Sequence, residues 1–337
     1  MKYMSLNSRR ILAAAFVLIF LVATPLLVLW SSGFRWNPKK WSWQQTGTIS
    51  METLPSGATV FLNEIQLNKK TPTVINALLP DIYEVRIEKD GYANWSERVE
   101  VTAGKTTIGK GILLLPKIVT RENEQAVSGG SEELKQNSVA LIEKRSKEYG
   151  IEANAEGIKQ IVRNVPSTQE RRVIAQIADE ITDVLDVSND SFVLLKNEKN
   201  QLIIGSIGDT ALVETDTLDD VLDYHWNDKK TILTVAAGLE LLQYHVLGAK
   251  IQKTLITRAS HPFERVLPLA DIPYLFVEQE HQIKIIEQNA LGVRITPLVQ
   301  LRETESILFW KLTKKLKLTV WTKEQDKFFR FEISLEK

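Results

Sequence analysis

From Ile11 to Trp30 the chain runs twenty residues without a charge, ILAAAFVLIFLVATPLLVLW, and nothing else in it limits the fold as strongly. At about 1.5 Å of rise per residue, such a helix spans about 30 Å, the thickness of a bilayer's hydrocarbon core. A buried helix of a soluble protein usually keeps a polar stripe, and this run has none. A cleaved signal peptide has an apolar region of about 7–15 residues ending in a small-x-small site. This run is longer, and a cut near Ala23-Thr24-Pro25 would set a proline beside it and strand Leu26–Trp30. Residues 11–30 therefore read as an uncleaved transmembrane helix whose partner is the lipid bilayer. Lys2, Arg9, Arg10 and the terminal amine precede the helix, and Arg35, Lys39 and Lys40 follow it. The positive-inside rule thus favours a cytoplasmic tail, residues 1–10, by a narrow margin. In the juxtamembrane segment, residues 31–46, Trp36, Trp41 and Trp43 follow Trp30 as interfacial aromatics do.

A chain of 337 residues leaves room for two or so domains beyond this helix. Lysine plus arginine equals aspartate plus glutamate, 42 each, so no bulk field recruits nucleic acid or an acidic polymer. With no cysteine, disulfides and thiolate metal sites are excluded, and an oxidising exterior is compatible.

From Gly47 to about Lys117 the pattern changes to period two. Thr59–Leu62, Tyr83–Ile87 and Val99–Val101 alternate as half-buried strands do. Pro55-Ser56-Gly57, Thr71-Pro72, Leu79-Pro80-Asp81 and Asp90-Gly91 punctuate them as turns. About seventy residues of short strands and tight turns read as a small β-sandwich. The run Leu54-Pro55-Ser56-Gly57-Ala58-Thr59-Val60-Phe61-Leu62-Asn63, with Thr71-Pro72, Leu79-Pro80, Gly91-Tyr92 and Trp95, resembles the PEGA domain. The chain departs from that pattern at Ser56 in place of glutamate, at Glu64 where glycine is usual, and at Asp81 in place of glycine. All three lie in turns. The resemblance implies an extracytoplasmic β-sandwich without known catalysis, which reinforces the inside-N-terminus orientation. Gly57 and Gly91 stand where turns call for positive φ. Tyr92 and Trp95 are the candidate ligand-contact residues, an aromatic platform for a sugar; aromatics beside a turn more often belong to the core.

Thr120–Asn137 is polar, holds a Gly-Gly pair and breaks all periodicity, so residues 118–137 read as a linker. Residues 138–337 then carry a repeat. Asp183-Val184-Leu185-Asp186 recurs as Asp220-Val221-Leu222-Asp223, each followed by a polar turn and two apolar strands, Phe192–Leu195 and Gln201–Ile207, then Thr231–Val235 and Leu239–Leu247. The pattern continues through Arg265-Val266-Leu267, Tyr274–Val277 and Ile283–Ile286, and ends with Ser306–Phe309, Leu316–Trp321 and Phe328–Ile333. A period near 40 residues, about four short strands each, is propeller-blade spacing. Tyr149–Ile151 and Ile158–Val162 could belong to an earlier, degenerate blade with Val139–Ile142, and Ser131–Lys147 is open between strand and helix. The repeat is similar to the blades of TolB-like propellers, which implies a blade ring; with four clear blades and a fifth in prospect, it is closed, open or completed by another chain. A non-propeller β-sandwich is the rival. The expected fold class is thus mainly β: an N-terminal transmembrane helix, a small PEGA-like β-sandwich, then a β-propeller-like repeat domain of about four to five blades.

Catalytic and metal constellations are lacking. His225, His245, His261 and His281 are far apart in sequence, without a ligand at zinc spacing. Gly104-Lys105-Thr106 echoes a phosphate-binding loop, but Val99 stands where its first glycine belongs. No Gly-x-Ser-x-Gly elbow occurs. Asp183/Asp186 and Asp220/Asp223 read as blade-turn hydrogen bonders in preference to calcium ligands. The expectation is a membrane-anchored, extracytoplasmic, non-enzymatic module with no cofactor, no metal and no nucleic acid, binding envelope protein or glycan. A hydrolase with its site assembled at the propeller channel is the alternative.

Overall fold

The computed structural model describes residues 6–127, 149–165, 170–188, 192–208, 212–227, 229–247, 250–269, 272–289, 292–313 and 316–335. They form two compact units, Met1–Lys117 and Ile118–Lys337. The question of strand or helix at Ser131–Lys147, and the strand expected at Val139–Ile142, lie outside the described residues.

In the first unit the apolar run is helix α1, Leu6–Ser31, with Pro25 inside it. From Arg10 to Ser31 it is long and apolar enough to cross a membrane, and most side chains of that stretch stand exposed. Strands β1 (Phe34–Asn37) and β2 (Ser42–Gln45) follow as an antiparallel hairpin. The sandwich comprises β3 (Gly47–Leu54), β4 (Thr59–Leu62), β5 (Ile65–Lys70), β6 (Thr73–Leu78), β7 (Asp81–Glu88), β8 (Trp95–Val101) and β9 (Thr106–Leu113). They pair as a sheet β6-β3-β9 and a sheet β5-β4-β7-β8, with β3 and β9 parallel. Period two explains the packing: Gly47, Ile49, Met51 and Thr53 of β3 are buried while their neighbours are not. Ile49 and Met51 join Val60, Val85, Ile87, Val99 and Ile112 in one core. Gly57 and Gly91 do take positive φ, 81° and 84°. At the β4–β5 turn Asn63 and Glu64 both take positive φ, 47° and 66°, which explains why glycine is usual there. Here Glu64 is held by Arg86 Nη2 at 3.0 Å.

The second unit is built from antiparallel sheets. Its strands are β10 (Glu122–Val127), β11 (Tyr149–Ala153), β12 (Lys159–Val165), β13 (Glu170–Gln176), β14 (Ile181–Ser188), β15 (Phe192–Asn197), β16 (Leu202–Ile207) and β17 (Leu212–Leu218). Then come β18 (Val221–Trp226), β19 (Ile232–Ala237), β20 (Glu240–Leu247), β21 (Lys250–Arg258), β22 (Arg265–Pro268), β23 (Tyr274–Gln279), β24 (Gln282–Asn289) and β25 (Gly292–Gln300). β26 (Glu305–Leu312), β27 (Lys317–Glu324) and β28 (Lys327–Ser334) complete it. Sequence-consecutive strands form β11-β12-β13, β14-β15-β16-β17, β18-β19-β20-β21 and β22-β23-β24-β25. The fifth sheet is β10-β28-β27-β26, in which the strand nearest the start of the unit pairs with the one at its end.

Two register features repeat around these sheets. The last strand of each of the four consecutive sheets bulges: one residue is extra at Ile174, Thr215, Ile256 and Leu298 in β13, β17, β21 and β25. β10 has the same irregularity between Glu122 and Gln125 against β28. It is therefore the fourth strand of the last blade, and the described residues give a propeller-like order of five blades. A bulge in an edge strand blunts it against pairing with another chain. The first strands bulge too, at Leu185 in β14, Leu222 in β18 and Leu308 in β26.

Strand β10 corrects the linker expected at 118–137 over its described part, and residues 128–137 lie outside the described residues. Glu-Asn-Glu-Gln-Ala-Val is polar because this edge strand has a neighbour on one side only, and most of it is exposed. Apolar cores lie where consecutive blades meet: Phe192, Leu194 and Ile204 pack with Trp226, Leu233 and Tyr244, and Ala236 and Leu241 with Phe263, Val266 and Leu275.

Candidate functional site

The sandwich places a polar cleft of about 560 Å³ over β4, β5 and β7, lined by Thr59, Phe61, Lys70, Glu88, Lys89, Asp90, Asn94 and Lys117 among others. Pairing of Thr59 with Glu88 and of Phe61 with Arg86 brings these side chains together. The Arg86 guanidinium lies 4.0 Å from the centre of the Phe61 ring. It also bonds Glu88, whose Oε1 accepts from Asn94 Nδ2 at 3.0 Å. Lys89 Nζ donates to the Ser56 carbonyl at 2.8 Å, across the Pro55–Gly57 turn. Lys117 is carried in by a short zipper, Ala93 N to Leu115 O (2.8 Å) and Lys117 N to Gly91 O (3.0 Å). With Glu88 paired to Arg86, the charges left around the cleft are Lys70, Lys89 and Lys117 against Asp90. That set suits an anionic, hydrogen-bonding ligand. It lacks a nucleophile–base pair.

Tyr92 and Trp95, the residues expected to touch a ligand, are 2% and 7% exposed and belong to the sandwich core. They form no surface platform. Trp95 opens β8 directly opposite Ile87, and that partner is wholly buried, so the indole faces inward. The three lysines that do line the cleft come from three separate segments and share no motif. Only the fold could bring them together.

In the second unit the repeated Asp-Val-Leu-Asp has a structural account. Its leucine is the extra residue of the first-strand bulge, Leu185 or Leu222. A bulge re-aims the side chain beside it, and the aspartate that follows reaches the next blade. Asp186 Oδ1 accepts from Lys230 Nζ at 3.1 Å, and Asp223 Oδ2 accepts from Val266 N at 2.9 Å. The leading aspartates do not join them: Asp183 is exposed, and Asp220 sits in a turn at φ 50°. The blade-turn role expected for the pairs thus becomes a link between blades for their second members.

Burial raises the Asp223 carboxyl above its usual range. Burial, then the charge of Glu264, push Glu278 up to about 7, with Arg265 and a bond from the Ile307 backbone opposing. Asp223 opens onto a groove of about 210 Å³ between the second and third blades, which also touches Lys196, Asn200 and Tyr224. Glu278 does not line that groove and is 3% exposed. Among the described residues no cluster of histidine and acidic side chains could hold a metal ion. His261 meets Glu280 at 3.0 Å, and His225 meets the Trp226 carbonyl at 2.6 Å.

Several solved structures are similar at low identity. Kluyveromyces lactis Hsv2 is 9% identical, with a TM-score of 0.36 over 83% of this chain and 72% of its own. The β-propeller domain of Myceliophteria thermophila Cps50 (Swd1) is 12% identical, with 0.39 over 74% and 79%. An oligogalacturonate lyase in complex with manganese is 10% identical, with 0.38 over 75% and 74%. The blade order rests on strand pairing and register, not on these likenesses. No curated protein matches the chain's sequence. Residues 46–110, which build the sandwich, match the PEGA domain.

Proposed function

We propose that the chain is a membrane-tethered, extracytoplasmic binding module of a bacterial cell envelope, with no enzymatic step of its own. In this reading α1 is the anchor, the PEGA domain holds a ligand site, and the blade ring is a platform that presents loops to envelope proteins. The cleft carries the reading: three lysines against one unpaired aspartate, beside Asn94 and Thr59, suit a carboxylated segment of an envelope polysaccharide. Ammonium–carboxylate contacts at an open rim set specificity and salt dependence more than raw affinity.

The test is a titration of the full chain in detergent with alginate, and with dextran as the neutral polymer. Alginate binding that weakens with salt, and by roughly fivefold or more in Lys70→Glu and Lys117→Glu, is expected. Equal binding of both polymers, or variants that bind as the parent does, would sink the ligand assignment. Sidedness is read separately. Since the chain has no cysteine, a single Glu100→Cys, at an exposed position of β8, should react with an impermeant maleimide on intact cells. Protection until lysis would place the bulk of the chain inside.

A hydrolase with its site on the ring is the second reading, favoured by the raised carboxyls of Asp223 and Glu278. Hydrolysis of a glycan or ester lost in Asp223→Asn, with the fold intact, would support it over the binding module.

A further inference from the structure

We propose that the β1–β2 hairpin is a lipid-binding foot, seated at the headgroup level of the membrane that α1 crosses and selective for anionic lipid. The inference rests on the membrane reading of α1 and adds a second, separable contact with the bilayer. Four of the chain's eight tryptophans fall between Trp30 and Trp43. Trp36 and Trp43 are cross-strand partners with rings 5.8 Å apart, and Trp41 packs edge-on to Trp36 at 6.0 Å. Trp41 is 82% exposed at φ 50°. A non-glycine residue in the left-handed region costs folding energy, and beyond its edge-on contact with Trp36 the exposed Trp41 ring buries little against the chain to offset it. A surface outside the chain accounts for this placement, and indole prefers the membrane–water interface.

The hairpin is fixed to the end of the helix. Arg35 Nη1 donates to the Trp30 carbonyl at 2.9 Å, and its guanidinium lies 3.7 Å from the Trp30 ring centre. Thr46 N and Oγ1 both donate to the Gly33 carbonyl, at 2.9 and 2.8 Å. The aromatic cluster therefore keeps a set distance from the apolar span. Asn37 Oδ1 orders the turn by accepting from Lys39 N (2.9 Å) and Lys40 N (3.4 Å). That turn projects two lysines, and no acidic residue occurs from Ser31 to Thr46. Cations beside apolar rings match an anionic headgroup layer, each lysine contributing roughly fivefold in affinity.

The full chain is reconstituted into phosphatidylcholine vesicles, with or without phosphatidylglycerol, containing lipids brominated at shallow or deep acyl positions. Trp95, Trp226, Trp310 and Trp321 are buried and set the unquenched background. Shallow bromines should quench the parent strongly, and Trp36→Ser/Trp41→Ser/Trp43→Ser should lose most of that quenching while Trp30 keeps its own. Quenching should be deeper with phosphatidylglycerol, and Lys39→Ser/Lys40→Ser should remove that increment with the tryptophans in place. If the triple variant is quenched as fully as the parent, the hairpin stands off the bilayer and the foot is overturned although α1 is inserted. If Trp30 is not quenched either, the membrane reading itself fails. Equal quenching in both lipid mixtures overturns the anionic preference.

Discussion

Replacing Glu278 by glutamine should stabilise the second unit above neutral pH and change little near pH 4.5. Glu278 sits on β23, buried beside Glu264, and its carboxyl is pushed up to about 7 from an ordinary 4.5. Across that window the native state holds a proton that the unfolded chain releases, so stability falls as pH rises from about 4.5 through 7. Each pH unit is worth about 1.4 kcal/mol, and the whole window about 3 kcal/mol. Glutamine keeps an oxygen able to accept from the Ile307 backbone N–H and carries no charge to bury, so the variant escapes the loss. For a unit of this size about 1 kcal/mol moves the melting temperature by about 2–4 °C. The variant should therefore melt about 6–12 °C above the parent at pH 8 and within about 2 °C of it near pH 4.5. Thermal melts of the full chain in detergent, followed by far-ultraviolet circular dichroism at both pH values, measure this. A variant less stable by the same amount at both pH values would refute the reasoning. It would mean that Glu278 is ionised and held by Arg265, whose Nε lies 3.6 Å away.

Arg121→Ala should cost about 3–5 kcal/mol at neutral pH, because it strands the fully buried Glu305 carboxylate that Arg121 Nη2 meets at 2.7 Å. Burial opposes ionisation of Glu305, but Arg121 and Thr322 hold its carboxyl below the usual value. The difference from the parent should therefore shrink as pH falls below about 4.5, which urea melts at pH 7 and pH 4 would register. Phe331→Ala should cost about 3–5 kcal/mol in the same melts, since Phe331 is fully buried in β28 and Arg121 stacks on it at 4.4 Å. Trp95→Ala should destabilise the sandwich by a similar amount. A Trp95→Ala protein that keeps its stability and loses only ligand binding would reverse the core assignment.

What could be read in the sequence divides along physical lines. The apolar run, the turn glycines and the sandwich strands were legible because each leaves a local trace: a charge-free span, a residue that tolerates positive φ, an alternation of period two. Within the second unit, the leading strands of most blades were legible and the last strand was not. β13, β17, β21 and β25 each carry an extra residue that breaks the alternation on which the reading depends. The Asp-Val-Leu-Asp repeat was visible as a tetrapeptide, whereas its meaning, a bulge followed by a clasp to the next blade, needs both partners in space. Tyr92 and Trp95 show the reverse case. Their residue types fit a core more often than a sugar platform but allow both, and the placement that decides, Trp95 facing inward from β8 and Tyr92 bridged to Pro116, needs the fold. The cleft lysines left no trace at all, since Lys70 and Lys89 meet through the pairings of β4 with β5 and β7, and Lys117 is brought in by its backbone bond to Gly91.

The fifth blade has a consequence for how the chain is made. Asn123 in β10 bonds Glu332 in β28 across 209 residues of sequence. At about 5–20 residues per second of synthesis, the early strand waits roughly 10–40 s for its partner. Throughout that interval both edges of β10 are bare, and a bare apolar edge invites pairing with any neighbouring nascent chain. Glu122, Glu124 and Gln125 make this edge a poor template for such pairing. The composition that disguises β10 as a linker is what keeps it unclaimed until its own blade arrives.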